Sequence, residues 1–260
     1  MNEWNADPYF QVTTRTIRTS AGPVEFPILF YDASSFQVVF FVPPGRIRQV
    51  VDPSQIRPLV IPGPGVPVFL NFYQYRDSSI GSYNEVALAI AGSPGAASAS
   101  AGPRWRQIGA WILDLPVTTA AACSVGREIW GFPKFQANIQ CFYQKGEFYG
   151  NITDKRTDQP ILSLGGRPGF GLPAPCPDLQ LWSRLKGSLL RSALNIRGKM
   201  LLCSRGSMRL EAGPTAHPMA DHVRDLGLHG KRPFMVVRAG RYQARLHTGH
   251  PADSAQRRRA

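Results

Sequence analysis

Short apolar runs, several alternating with polar residues, recur along the chain: VEFPILFYD (24–32), SFQVVFFV (35–42), VPVFLNFYQYR (66–76), YNEVALAIAG (83–92) and GAWILDLPV (109–117). The series continues with FQANIQCFYQ (135–144), EFYGNITD (147–154), PILSLG (160–165), KMLLCS (199–204) and PFMVVRAGRYQARL (233–246). Their length and their content of Val, Ile, Phe and Tyr predict strands. So many strands at short spacing imply a mainly β (α+β) fold built on a closed or nearly closed antiparallel sheet.

Helices are predicted to be few and short. GRIRQVVD (45–52) follows a double proline and makes a turn or two, while VTTAAACSVGRE (117–128) is alanine-rich, with Gly126 where a C-cap would end it. In TAHPMADHVRDLG (215–227), Pro218 stands near the first helical position. Met219, Val223 and Leu226 form one stripe there, and Gly227 is the stop. That stripe reads as core, with His217 and His222 at the helix end or surface. AGSPGAASASAGP (91–103) reads as a flexible loop insertion between strands, and IPGPGVP (61–67) as a stiff turn, since it lacks the residues of a phosphate-binding loop.

Composition narrows the class. The chain has 260 residues, 43% hydrophobic and 18% charged, enough to bury a core and unlike a disordered chain. No apolar run approaches the roughly 20 residues of a membrane span, and MNEWNADPYFQ lacks the pattern of a secretory signal. The expectation is a soluble, cytoplasmic protein with reduced thiols. Cys123, Cys141, Cys176 and Cys203 form no CxxC pair, and the histidines have no metal-ligand spacing, so neither a metal nor a cofactor is expected. The net charge of +13 is lopsided: residues 181–260 hold 16 Lys+Arg against 4 Asp+Glu and so carry +12 of it. An arginine-rich β exterior and the basic tail at 251–260 explain this better than nucleic acid, because no aromatic-interleaved basic motif is present.

The candidate chemistry lies in REIWGFPKF (127–135). An amine in water is protonated near neutral pH and cannot attack a carbonyl, whereas burial penalises its charged form. Were this segment extended, Trp130, Phe132 and Lys134 would share one face and the two rings would dry the amine, although Gly131 and Pro133 suggest a bend. Glu85, in the apolar run YNEVALAI, would share a face with Tyr83 and Ala87 and would point either to solvent or inward for a purpose.

YNEVALAI followed by GREIWGFPKF resembles the acetoacetate decarboxylase superfamily, whose motif is a Y-x-E strand and then R-E-x-x-G-x-P-K. PVEFPILFYDASSFQVVFFVPP, RPLVIPG, FYQYRDSSIGSYNE and LGLHGKRPFMVVRAGRYQARL are similar too, so the resemblance spans nearly all of 1–260 as one domain. It implies a cone-shaped antiparallel β-barrel with short flanking helices. It also implies Schiff-base formation by Lys134, with Glu85 as the acidic partner and no cofactor. Tyr83, Trp130, Phe132 and Arg127 are assigned to the substrate pocket. The implied function is a decarboxylase-like lyase on a small keto acid or related carbonyl compound, in a homo-oligomer. Aldolase or dehydratase chemistry on the same iminium, or a barrel that only binds a small ligand or polyanion, are the alternatives. Two departures bear on the substrate: Phe135 stands where a second lysine is usual, and SFQVVFFVPP has no arginine, Arg46 and Arg48 lying beyond its prolines.

Overall fold

A computed structural model of the chain describes residues 3–52, 54–95 and 104–252. Strands β1 (Arg15–Thr19) and β2 (Gly22–Phe26) form a hairpin. Strand β3 (Ile28–Val42), helix α1 (Pro44–Val50), β4 (Ile56–Pro58), β5 (Val66–Ser78), β6 (Tyr83–Pro94) and β7 (Gly109–Val117) follow. Helix α2 (Ala120–Trp130) leads into β8 (Lys134–Gln144), β9 (Glu147–Asp154), β10 (Pro160–Gly166) and β11 (Gly171–Pro175). The chain continues through β12 (Leu179–Leu185), β13 (Ser188–Ser204), β14 (Arg209–Ala212), α3 (Pro218–Asp225), β15 (Met235–Leu246) and β16 (His250–Pro251). Among the described residues no helix is long and apolar enough to cross a membrane.

Seven strands close a barrel, in the order β7, β12, β13, β15, β3, β5, β6 and back to β7. The mainly β class expected from the apolar runs is therefore what is observed. The pairing is antiparallel except along one edge of β7, which meets β12 in parallel at Ala110 and Trp111 and β8 in parallel from Leu115 to Val117. A parallel neighbour needs a crossover, usually helical. Between β7 and β8 that crossover is α2. Strands β8, β9, β10 and β14 continue the sheet away from the barrel.

Two apolar cores occupy opposite faces of β3, β5 and β6. Phe30, Tyr75, Tyr83, Ala87, Ile112 and Leu115 face the barrel interior. Phe72, Val86, Leu88, Ile152, Leu162 and Met219 pack in a second core that joins the outer face to the β8–β14 extension and α3. Burial on both faces explains why YNEVALAI reads as a nearly continuous apolar run.

The structure departs from the sequence expectation in several places. The strand expected over 83–92 runs on through Ser93 and Pro94, which were read only as loop, and 92–94 pair with β4, where Gly92 lies so close to Ile56 that an added Cβ would sit 2.5 Å from its Cδ1. Residues 96–103 of that loop, and 253–260 of the basic tail, lie outside the described residues. Strand β12 and the first half of β13 were not predicted. Their segment, LQLWSRLKGSLLRSALNIRGK, mixes its apolar positions with arginines and lysines that point outward. The expected pair of strands at 24–32 and 35–42 is instead β2 plus one long β3.

Basic residues on this exterior have local partners. Arg197 pairs with Asp7 and lies 4.4 Å over the Tyr9 ring, Arg245 lies over the same ring, and Arg238 covers Tyr143.

Helix α3 buries Met219, Val223 and Leu226 as expected, with Pro218 in its first turn and His217 as N-cap, its Nδ1 accepting from Met219 N. His222 does more than sit at a surface, because its Nδ1 lies 2.7 Å from Oδ2 of the buried Asp114 on β7. Hydrogen bonding to Asp114 raises the His222 pKa above its usual value, against an opposing effect of burial; Asp225 and Asp221 add to the rise. A raised folded pKa stabilises fully below about pH 6.5 and is lost as pH rises through the raised value. Thermal unfolding should therefore show roughly 1 kcal/mol of stability lost on going from pH 6 to 9 that is missing in Asp114→Asn.

Candidate active site

Lys134 begins β8, directly opposite Leu115 of β7. The turn that delivers it is set by α2, which Thr119 caps by accepting a hydrogen bond from Ala122 N, 3.3 Å. Helix α2 runs four residues past Gly126 and ends on Gly131, whose φ of 65° is left-handed. A side chain at Gly131 would also strike the Arg184 carbonyl, with its Cβ 1.9 Å from the oxygen. The C-cap is thus Gly131, in correction of the expectation that Gly126 would end the helix.

Gly126 serves another purpose. It lies inside the helix where the stem of Lys134 passes, and a Cβ there would fall 2.4 Å from both Cδ and Cε of the lysine. Glycine is the residue that lets the stem cross the helix surface so closely.

Glu85 comes from β6, between Tyr73 of β5 and Val117 of β7. Alternation turns Tyr83, Glu85 and Ala87 into the barrel, the inward option left open by the sequence. The Lys134 Nζ lies 2.6 Å from Glu85 Oε2, with the two side chains only 7% and 9% exposed. Tyr75 donates to Glu85 Oε1 at 3.4 Å, and the Tyr83 ring centroid is 5.7 Å from Nζ. Around the pair is a cavity of about 60 Å³, walled by Phe30, Tyr75, Ile112, Val125, Trp130 and Phe132 among others. Such a space holds a few waters or a small group.

Tyr75, Tyr83 and Tyr242 are held neutral well above the usual tyrosine range, first by burial and further by neighbouring groups that include Glu85. They remain hydrogen-bond donors at any working pH.

Of the residues proposed from the sequence, Lys134, Glu85, Tyr83, Trp130 and Phe132 all line this cavity. Trp130 and Phe132 do so by a different route from the extended segment considered above: Trp130 closes α2, and its ring stacks on Phe132 at 5.7 Å across the Gly131 cap. Arg127 does not belong with them. It follows Gly126 on the helix, roughly 100° further round, and is exposed. Arg76 lies outside the barrel as well, paired with Asp32 at 2.6 Å. Arg46 reaches the carbonyl of Asp225. No arginine is among the described residues lining the cavity. Phe135 points to the opposite face from Lys134 and packs on His217 with ring centroids 4.9 Å apart.

Sequence reasoning did not single out Tyr73, Tyr75 or Tyr242, and it read Gly126 only as a helix stop. The Y-x-Y spacing of Tyr73 and Tyr75, on the strand that precedes Tyr83, was the available signal for two of them. Among the described residues no group of three or more His, Cys, Asp or Glu side chains could hold a metal ion.

The family model described as acetoacetate decarboxylase (ADC) matches residues 13–180. The fold is similar to that of an acetoacetate decarboxylase from Legionella pneumophila subsp. pneumophila str. Philadelphia 1, with TM-score 0.64 and 17% identity over 93% of this chain and 91% of that one. A second structure, described as acetoacetate decarboxylase, aligns with TM-score 0.62 and 18% identity over 86% of this chain and 88% of the other. The enduracididine biosynthesis enzyme MppR complexed with pyruvate aligns with TM-score 0.61 and 12% identity over 94% and 93%. Among curated proteins none matches this chain in sequence. With a family model matched over well more than half its length, from β1 through both strands that carry Lys134 and Glu85, the chain belongs to the acetoacetate decarboxylase family.

Proposed function

We propose that the protein is a Schiff-base-forming lyase, decarboxylase-like, acting on a small carbonyl compound through Lys134. The observation that supports it most is a buried lysine 2.6 Å from a buried glutamate inside an aromatic-walled cavity. A charged pair so dry carries a desolvation cost, and a proton moving from Nζ to Glu85 converts it to a neutral amine and acid without breaking the contact. The amine lone pair then attacks the carbonyl carbon as the π pair moves to oxygen. Glu85 protonates that oxygen, takes a proton from the new ammonium, and returns it as the hydroxyl leaves as water. An iminium cation remains beside the Glu85 carboxylate.

With a β-keto acid, the bond to the carboxylate breaks and its electrons enter the iminium, releasing carbon dioxide and a neutral enamine. Opposite charges vanish in this step, so an apolar cavity favours it. The enamine carbon takes a proton relayed from water by Glu85. Water then adds to the iminium to free the ketone and Lys134. A second reading, aldol cleavage or dehydration through the same iminium, is favoured because no arginine among the described residues lines the cavity to hold a substrate carboxylate.

Reversible enamine formation exchanges the α-protons of a ketone with solvent. Proton NMR of acetone or a longer methyl ketone in D2O should show exchange accelerated by the protein. Glu85→Gln should slow it by about 10²- to 10⁴-fold. No acceleration with any ketone would leave a barrel that only binds ligands.

A further inference from the structure

The lysine cavity is not the end of the barrel interior. A second chamber of about 300 Å³ lies against it along the barrel axis, and the two share Tyr73, Ala87, Ile112, Leu181 and Leu194 as walls. The strand registers show the stacking. On β6 the inner residues run from Glu85 and Ala87 at the lysine level to Ala89 in the second chamber, and on β7 from Leu115 through Ile112 to Ala110.

The second chamber is lined mainly by carbon. Phe69, Ala89, Leu179, Ile196, Met200 and Val237 are among its walls, and the polar interruptions include Ser35, Gln37 and Asn71 on β3 and β5, the last two hydrogen-bonded to each other at 3.2 Å. No described lining residue of either chamber is arginine, and no lining lysine other than Lys134 is present. Ala110, Ile196, Met200 and Leu179 are half-exposed, so this end communicates with solvent.

A cavity of about 60 Å³ suits little more than the reacting carbonyl and its nearest substituents, whereas about 300 Å³ is the lower end of ordinary small-molecule sites. Small residues at Ala87, Ala89 and Ala110 keep the passage open where bulkier ones would fill it.

Resting on the Schiff-base reading above, we infer that the substrate is a carbonyl compound with an apolar tail of several carbons, its carbonyl at Lys134 and its tail in the second chamber. The distance from Glu85 to Ala89, four residues of strand at ~3.3 Å each, accommodates a tail of roughly six to eight carbons. Recognition rests on burying that tail, since among the described lining residues no cation other than Lys134 is present to select a carboxylate.

The test is covalent trapping by borohydride across acetone, methyl butyl ketone, methyl hexyl ketone and methyl octyl ketone, with the adduct read by intact mass. The half-saturating ketone concentration should fall roughly two- to fourfold per added methylene up to the hexyl tail and by less per methylene from hexyl to octyl. Ala110→Phe, at the half-exposed mouth, should erase most of that advantage. Equal half-saturation across the series overturns the inference while leaving the Schiff base intact, and so does an Ala110→Phe protein with the same chain-length preference. No adduct with any ketone overturns the Schiff-base reading itself. The wild-type series decides alone if the variant does not fold.

Discussion

Lys134→Met is expected to abolish ketone exchange, by 10³-fold or more, and also to destabilise the fold. The loss of activity follows from removing the nucleophile. The loss of stability follows from burial: with the amine gone, a carboxylate 9% exposed has no cation, and breaking a buried pair from one side costs about 3–5 kcal/mol. The double variant Lys134→Met with Glu85→Gln should recover most of that stability and none of the activity, because a buried ion pair replaced by neutral groups of similar size is often no less stable. Urea denaturation of the wild type, both single variants and the double variant measures this. A lysine with its ammonium in water would show no such pattern, since its loss alone would cost within about 0.5 kcal/mol.

Gly126→Ala should give the opposite combination, a near-normal fold with a damaged reaction. In an exposed helix interior alanine is preferred over glycine by about 1 kcal/mol, so propensity alone predicts a gain. Here the added methyl would meet the lysine stem at 2.4 Å, and either the helix or the stem must move. The stem is the softer of the two, so stability should stay within about 1 kcal/mol of wild type. The amine, however, is re-aimed relative to Glu85, and a displacement near 1 Å at a reacting atom costs about 10²-fold. Paired kcat/KM values for α-proton exchange and melting curves check the prediction. A variant with full activity would mean that the close passage of Lys134 over α2 has no catalytic consequence.

These two residues also show what the sequence could and could not reveal. Alternation along β6 was legible, so Tyr83, Glu85 and Ala87 were placed on one face, but that this face is the inward one, with Val86 and Leu88 packed outside, emerged only from the closed barrel. The outward direction of Phe135 was legible for the same reason, because successive residues of a strand point to opposite faces. Gly126 was misread because glycine is a helix terminator by local rules, and only tertiary packing reveals that the missing side chain makes room for a lysine from the next strand. Arg127 was assigned to the pocket by resemblance alone: alternation on an extended segment would set it opposite Trp130, Phe132 and Lys134, and on helix α2 it is exposed. β12 and early β13 went unseen because their outward residues are charged and their inward ones line a cavity, which blurs the apolar signal. The second chamber was illegible in principle: its walls come from strands scattered across β3, β5, β6, β7, β12, β13 and β15, and only barrel closure brings them together.

Imine formation by Lys134 is measured most directly by peptide mapping after borohydride reduction in the presence of a methyl ketone. A mass increase equal to the reduced ketone adduct is expected on the peptide carrying Lys134, absent in Lys134→Arg, whose guanidinium forms no such imine. An adduct spread over surface lysines such as Lys145, Lys155 and Lys186, with the Lys134 peptide unmodified, would contradict it.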